Sequence, residues 1–171
     1  MNEHLTSNEK SNCTSDAVTE VATKTLKKNE AENTNAVFHH HVSVQIRFND
    51  VDGYGHVNNN SYFAYYDLGK EDYLRKVLSV NYSSADVVPV IANINADFFQ
   101  PIFHGDDIEI ETRVSHVGKK SFTLQQRAIN KKKNIVVCQC QTIMVCFNLA
   151  TQESVEVPEK FRASILSYEN Q

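Results

Sequence analysis

Two aspartates and a histidine fall within one short stretch, Asp50-Val51-Asp52-Gly53-Tyr54-Gly55-His56. Asn58, Asn59, Asn60 and Ser61 follow, then the aromatic pair Tyr62 and Phe63. Carboxylates and imidazoles are the side chains that move protons or attack a carbonyl carbon. Small polar residues ahead of an apolar helical pattern mark a helix start. The unpaired N–H groups of such a start stabilise negative charge developing on an oxygen. The combination points to attack on a carbonyl.

The neighbouring patterns say what must hold these residues. Val42, Val44, Ile46 and Phe48 alternate with Ser43, Gln45 and Arg47, which predicts a half-buried strand running into the turn. Residues 61–79 shift to helical period. Tyr62, Tyr66, Gly69, Tyr73 and Val77 share one face, while Ala64, Tyr65 and Leu68 make the first half apolar nearly all round, so the helix is expected to be surrounded. Gly69 costs about 1 kcal/mol against Ala in a helix interior, which a close approach of sheet backbone would explain. Strand-like stretches follow at 88–99, 107–117, 120–130 and 134–148, the last apolar on both faces as a central strand requires. Val117-Gly118-Lys119 and Asn130 to Asn134 read as hairpin turns. One long helix wrapped by a curved antiparallel sheet of about five strands is an α+β arrangement.

The 171 residues suit one domain. A net charge of −4 argues against a nucleic-acid binder. No apolar run reaches the roughly 18 residues of a membrane span, and the opening residues lack the apolar core of a secretory signal. Residues 1–36 are polar, with no aromatic residue, and are expected to be disordered. They contain no Arg and several acidic residues, unlike an organelle-targeting peptide. A cytoplasmic location is expected, with a mitochondrial or other organellar one as the alternative. Residues 37–165 are read as the single domain and 166–171 as a flexible C-terminus. Cys13, Cys138, Cys140 and Cys146 read as reduced thiols, the last three on one face of a strand. His39, His40 and His41 suggest a metal cluster, but neighbours on an extended chain point to opposite faces and chelate poorly. No metal and no cofactor are expected.

Arg47 to Phe63, R-F-N-D-V-D-G-Y-G-H-V-N-N-N-S-Y-F, resembles the signature of the hotdog-fold acyl-CoA thioesterases of the 4-hydroxybenzoyl-CoA thioesterase type. Two weaker matches fall in the right order: F-F-Q-P-I-F-H-G-D-D-I-E-I-E-T-R-V at 98–114 and V-G-K-K-S-F-T-L at 117–124. The resemblance covers about residues 40–165. It implies the hotdog fold, a homodimer or homotetramer with active sites at the dimer interface, and hydrolysis of an acyl thioester to a free acid and CoA. It puts the catalytic carboxylate at Asp52, as general base or nucleophile.

His56 is expected to orient Asp52, to bind the carbonyl, or to make a structural hydrogen bond only. Asn58, Asn59 and Asn60 are all candidate helix caps, and Asn59 is the expected contact to the thioester. Asp50 and Asn58 are read as structural supports. On an extended segment Asp50 would share the face of Asp52. Lys119, Lys120 and Ser121 are candidate CoA contacts, since the family binds CoA near this hairpin; solubilising turn lysines are the other reading. An acyl-carrier-protein thioesterase shares H-V-N-N and stays open, as does a non-catalytic acyl-CoA-binding module. A hotdog hydratase would need D-x-N-P-x-H, a spacing that neither Asp50 nor Asp52 makes with His56.

Overall fold

Strand β4, Ser121–Asn130, buries every second side chain along its whole length, so one face of this strand is a core face throughout. The computed structural model describes residues 36–171; the tail expected to be disordered, and Cys13, lie outside the described residues save for Ala36. The other elements are β1 His40–Val44, helix α1 Asn59–Lys76, β2 Val87–Phe98, β3 Ile108–Val117, β5 Ile135–Asn148, the two-residue β6 Glu153–Ser154 and helix α2 Glu159–Glu169. The strands form one antiparallel sheet in the order β1-β3-β4-β5-β2, with β6 on β5. It curls about α1 and buries Tyr62, Tyr66, Tyr73 and Leu74 against Ile110, Phe122, Leu124 and Met144.

Gly69 is where helix and sheet come closest. A Cβ there would lie 2.7 Å from Ile110 Cγ2 and 3.0 Å from Thr112 Oγ1. The close approach expected from sequence is therefore to sheet side chains, not to backbone. Gln126 completes the contact, donating from Nε2 to the Tyr66 carbonyl at 2.9 Å.

Three expectations are corrected. The first strand ends at Val44, opposite Ile108 where β3 begins, so the chain beyond has no neighbour to pair with. Ile46 leaves the ladder, and Phe48 enters a 3-10 turn and is 84% exposed. The C-terminus is not loose after residue 165. Helix α2 continues to Glu169, whose Oε1 accepts from the Tyr73 hydroxyl at 2.5 Å and from the Val114 N–H at 2.8 Å. A register shift in β3 just after Val114 leaves that N–H in need of an acceptor. Finally, α1 is not surrounded within one chain, since Ala64 and Leu68 face outward.

β2 and β3, consecutive in the chain, lie on opposite sides of β4 and β5. Residues 99–107 therefore cross beneath the start of α1. Ile102 is fully buried there, accepting the Val57 N–H at 2.8 Å. This crossover brings the end of β2 against the aspartate turn. No helix among the described residues is long and apolar enough to cross a membrane.

Candidate active site

The 3-10 turn at Phe48–Asp50 decides where the first aspartate points. Asp50 Oδ2 accepts the Arg47 N–H at 2.7 Å and the Tyr65 hydroxyl at 2.7 Å. Its carbonyl accepts the Asn58 N–H at 2.7 Å. Burial works against its charge, but the bonds from Arg47 and Tyr65 outweigh it and hold its carboxyl below the ordinary value. The shared face expected for Asp50 and Asp52 is thus corrected: Asp50 turns to the helix and ties the turn to α1.

Asp52 closes its own loop. Its N–H donates to the His56 carbonyl at 2.8 Å and its carbonyl accepts the Gly55 N–H at 3.0 Å. Gly55 has φ +81°, a conformation costly for residues with a Cβ. Asp52 Oδ1 accepts the N–H of Tyr54 at 2.8 Å and that of His56 at 3.4 Å. Oδ2 has no hydrogen-bond partner among the described residues. The side chain is fixed through one oxygen and offers the other.

His56 pairs with Phe103 as an isolated bridge, and the two rings meet edge-on with centroids 5.1 Å apart. Asn58 caps α1: its Oδ1 accepts the Asn60 N–H at 2.9 Å, and its carbonyl accepts the Ser61 N–H at 2.8 Å. Those bonds occupy two of the helix-start donors. The Asn59 N–H has no partner among the described residues.

Asp52, His56 and Asn59 line one cavity of about 230 Å³ with Tyr62, Phe98 and the Phe99-Gln100-Pro101 segment. Sequence reading missed the last group as lining, although Tyr62 and F-F-Q-P stand in the motifs themselves. Tyr62 Oη accepts the Ile102 N–H at 3.2 Å and donates to the Gln100 carbonyl at 3.4 Å. Burial pushes its pKa up to about 12. Its ring meets Phe98 edge-on at 5.1 Å. The cavity thus combines the aromatic residues Tyr62, Phe98 and Phe99 with the polar residues Asp52, His56, Asn59 and Gln100. Among the described residues no third metal-type ligand joins Asp52 and His56. No cysteine lines this cavity among the described residues, and burial raises the pKa of Cys138 to about 12 and of Cys140 to about 11.

Lys119, Lys120 and Ser121 are not brought to this cavity within one chain. They form the β3–β4 hairpin, closed by the Gly118 N–H donating to the Ser121 carbonyl at 2.8 Å. Lys119 Nζ is 3.1 Å from Glu156 Oε1, and Lys120 Nζ donates to the Ser154 carbonyl at 2.7 Å. Ser121 shares a row of the sheet with Val145 and Val90, and Ala128 shares one with Cys138 and Phe98. Seven residues separate the rows, about 24 Å along the strand.

The family described as the thioesterase-like superfamily matches residues 46–165. The long-chain acyl-CoA thioesterase FadM of Escherichia coli is 25% identical over 123 residues, which are 71% of this chain and 93% of that protein. A Thermus thermophilus thioesterase, solved in complex with coenzyme A and Zn, superposes with a TM-score of 0.69 at 24% identity, covering 78% of this chain and 96% of that one. The probable thioesterase YbaW of Escherichia coli superposes at 0.67 and 24% identity, covering 74% and 96%. These superpositions share the curled sheet and helix.

Proposed function

The chain belongs to the thioesterase-like superfamily and is a thioester hydrolase, and from that premise we propose that it hydrolyses acyl-CoA, with Asp52 as the catalytic carboxylate. The observation that carries this reading is that Asp52 and Asn59 line one cavity, while Asp52 Oδ2 and the Asn59 N–H have no hydrogen-bond partner among the described residues. A thioester already has a good leaving group, so hydrolysis needs only a base or nucleophile and a donor for the oxyanion. Oδ2 deprotonates a water or attacks the carbonyl itself. The Asn59 N–H, at the positive end of α1, takes the developing oxyanion. His56 fixes Asp52 through its backbone, and the walls of Tyr62 and Phe98 take the acyl group. The buried, reduced thiols of β5 suit a cytoplasmic enzyme.

The working form in this reading is at least a dimer. The outer edge of β2 is unpaired among the described residues, and Val90, Ile91, Ile94 and Phe98 along it are exposed. Ala64 and Leu68 of α1 lie open as well. Two copies pairing β2 edge to edge, antiparallel about a two-fold axis, bring the Val90 end of one against the Phe98 end of the other. The Lys119–Lys120 hairpin of one copy then stands beside the Asp52 cavity of the second, where the phosphates of CoA need positive charge.

The test is hydrolysis of a series of acyl-CoA thioesters, followed by free thiol. Asp52→Asn should lower kcat by about a hundred- to ten-thousand-fold while acyl-CoA still binds. Near-normal turnover by Asp52→Asn would remove the assignment. Binding without hydrolysis by the unaltered protein would make it an acyl-CoA-binding module.

A further inference from the structure

The three consecutive histidines fan out as an extended chain requires. His40 points inward, with Nε2 2.8 Å from Asp72 Oδ2. The ring of His39 meets Tyr168 edge-on at 6.2 Å. His41 points to the outer face of the sheet, where Glu109 and Glu111 project from β3 between the core-facing Ile108, Ile110 and Thr112.

The surroundings set the roles of the imidazole nitrogens. His41 Nε2 lies 2.9 Å from the Phe38 carbonyl oxygen. That oxygen only accepts, so Nε2 carries a proton. Nδ1 then faces Glu109 Oε1 at 3.2 Å and Glu111 Oε1 at 3.5 Å. The second oxygen of each carboxylate is held elsewhere: Glu109 Oε2 by Lys131 Nζ at 3.3 Å, and Glu111 Oε2 by Arg127 Nε. Arg127 is itself held over the Phe38 ring, 4.2 Å from its centroid.

We propose that His41 Nδ1, Glu109 Oε1 and Glu111 Oε1 form a binding site for a divalent transition metal of the zinc class. The three atoms lie within 4.8 Å of one another. An ion bound tetrahedrally at about 2.0–2.2 Å places its ligand atoms about 3.3–3.6 Å apart; the two separations from His41 Nδ1, 3.2 and 3.5 Å, already match, and the two glutamate oxygens lie within 4.8 Å of each other. A metal-bound imidazole typically donates its other N–H to a carbonyl or carboxylate, and the Phe38 carbonyl is placed to receive it. Lys131 and Arg127 hold the outer oxygens and leave each glutamate one oxygen for the shared point. One imidazole and two carboxylate oxygens suit Zn²⁺, Co²⁺ or Mn²⁺ better than Ca²⁺, which takes six to eight oxygens. The ion would fasten the five-residue edge strand β1 to β3, at the point where the chain joins the sheet.

The competing occupant of the gap is a proton on Nδ1, giving an imidazolium between two carboxylates. Titration of the metal-free full chain with Co²⁺, read by its visible absorption, separates the two. One equivalent should bind, with a low-coordinate band that Zn²⁺ removes, and Zn²⁺ should raise Tm in proportion to the logarithm of its concentration. Losing a mere hydrogen-bond partner of a ligand costs about 10–100-fold in affinity. His41→Ala and Glu109→Gln, each checked for fold by circular dichroism, should therefore weaken binding by at least that much, and His39→Ala should not. Equal binding by His41→Ala, or neither band nor Tm shift at millimolar metal, would overturn the site and leave a salt-bridge cluster. The readout is independent of thioester hydrolysis, so it stands or falls apart from the acyl-CoA reading.

Discussion

The Tyr65 hydroxyl donates to Asp50 Oδ2 at 2.7 Å, joining the turn ahead of the Asp52 loop to the second turn of α1. The same oxygen accepts the Arg47 N–H. Asp50 therefore positions the loop and does not face the cavity lined by Asp52.

Asp50→Asn should cost about 1.5–3 kcal/mol, the range for hydrogen bonds to a charged group, and Tyr65→Phe about half as much. Because the Asp50 carboxyl titrates below its ordinary 3.8, its contribution is complete above that value and fades as pH falls through the lowered one. Urea unfolding at pH 7 and pH 3 should show a smaller difference between Asp50→Asn and the unaltered protein at pH 3. An equal difference at both would reject the coupling.

Gly69→Ala tests the tight contact of helix and sheet. Helix propensity alone would favour Ala by about 1 kcal/mol. The new methyl meets Ile110 Cγ2 at 2.7 Å and Gln126 Nε2 at 3.1 Å. Ile110 is fully buried and stiff at χ1, so it yields little. Overpacking of about 1–3 kcal/mol should win, and Tm should fall. A rise in Tm would mean the sheet relaxes freely there.

Much of this architecture was legible from local pattern. Alternation in 120–130 became β4 without exception, because both neighbours of that strand run its full length. The same alternation misled at Ile46 and Phe48: periodicity reports which side chains share a face, not whether a neighbouring strand is there to pair. Glu169 was unreadable for a similar reason, since its partners Tyr73 and Val114 lie far away in sequence. Within the site, Asp52, His56 and Asn59 were legible because one continuous motif builds them. The wall from Phe98 to Pro101 arrives by the crossover, and the distance to Lys119 follows only from strand register.

His40 carries a pH dependence of its own. Burial lowers its pKa below the ordinary 6.5, outweighing the Asp72 carboxylate that would raise it; Lys76 and His41 add to the lowering. The Tyr73 ring meets it edge-on with centroids 5.4 Å apart. The folded chain resists a proton that the unfolded chain accepts near 6.5. Stability from this site is therefore complete above pH 6.5 and declines as pH falls below it. Thermal melts from pH 8 to 5.5 should lose less Tm in His40→Gln than in the unaltered protein. Parallel losses would assign the acid sensitivity elsewhere.

The last prediction concerns the roughly 24 Å of strand between the lysine hairpin and the Asp52 cavity. If phosphate contacts come from a second copy, Lys119→Ala with Lys120→Ala should raise KM for acyl-CoA more than it lowers kcat, since such contacts bind ground and transition states alike. A short thioester lacking the nucleotide should be hydrolysed as before. Mixing that variant with Asp52→Asn gives a sharper test. Each mixed dimer would hold one site with both defects and one with neither. Random exchange makes half the dimers mixed, so about a quarter of all sites regain wild-type composition. Activity at low acyl-CoA, where both parents are poor, should rise to about that fraction once subunits exchange. No recovery, despite mixed dimers demonstrated by mass spectrometry, would place the lysines outside the substrate site.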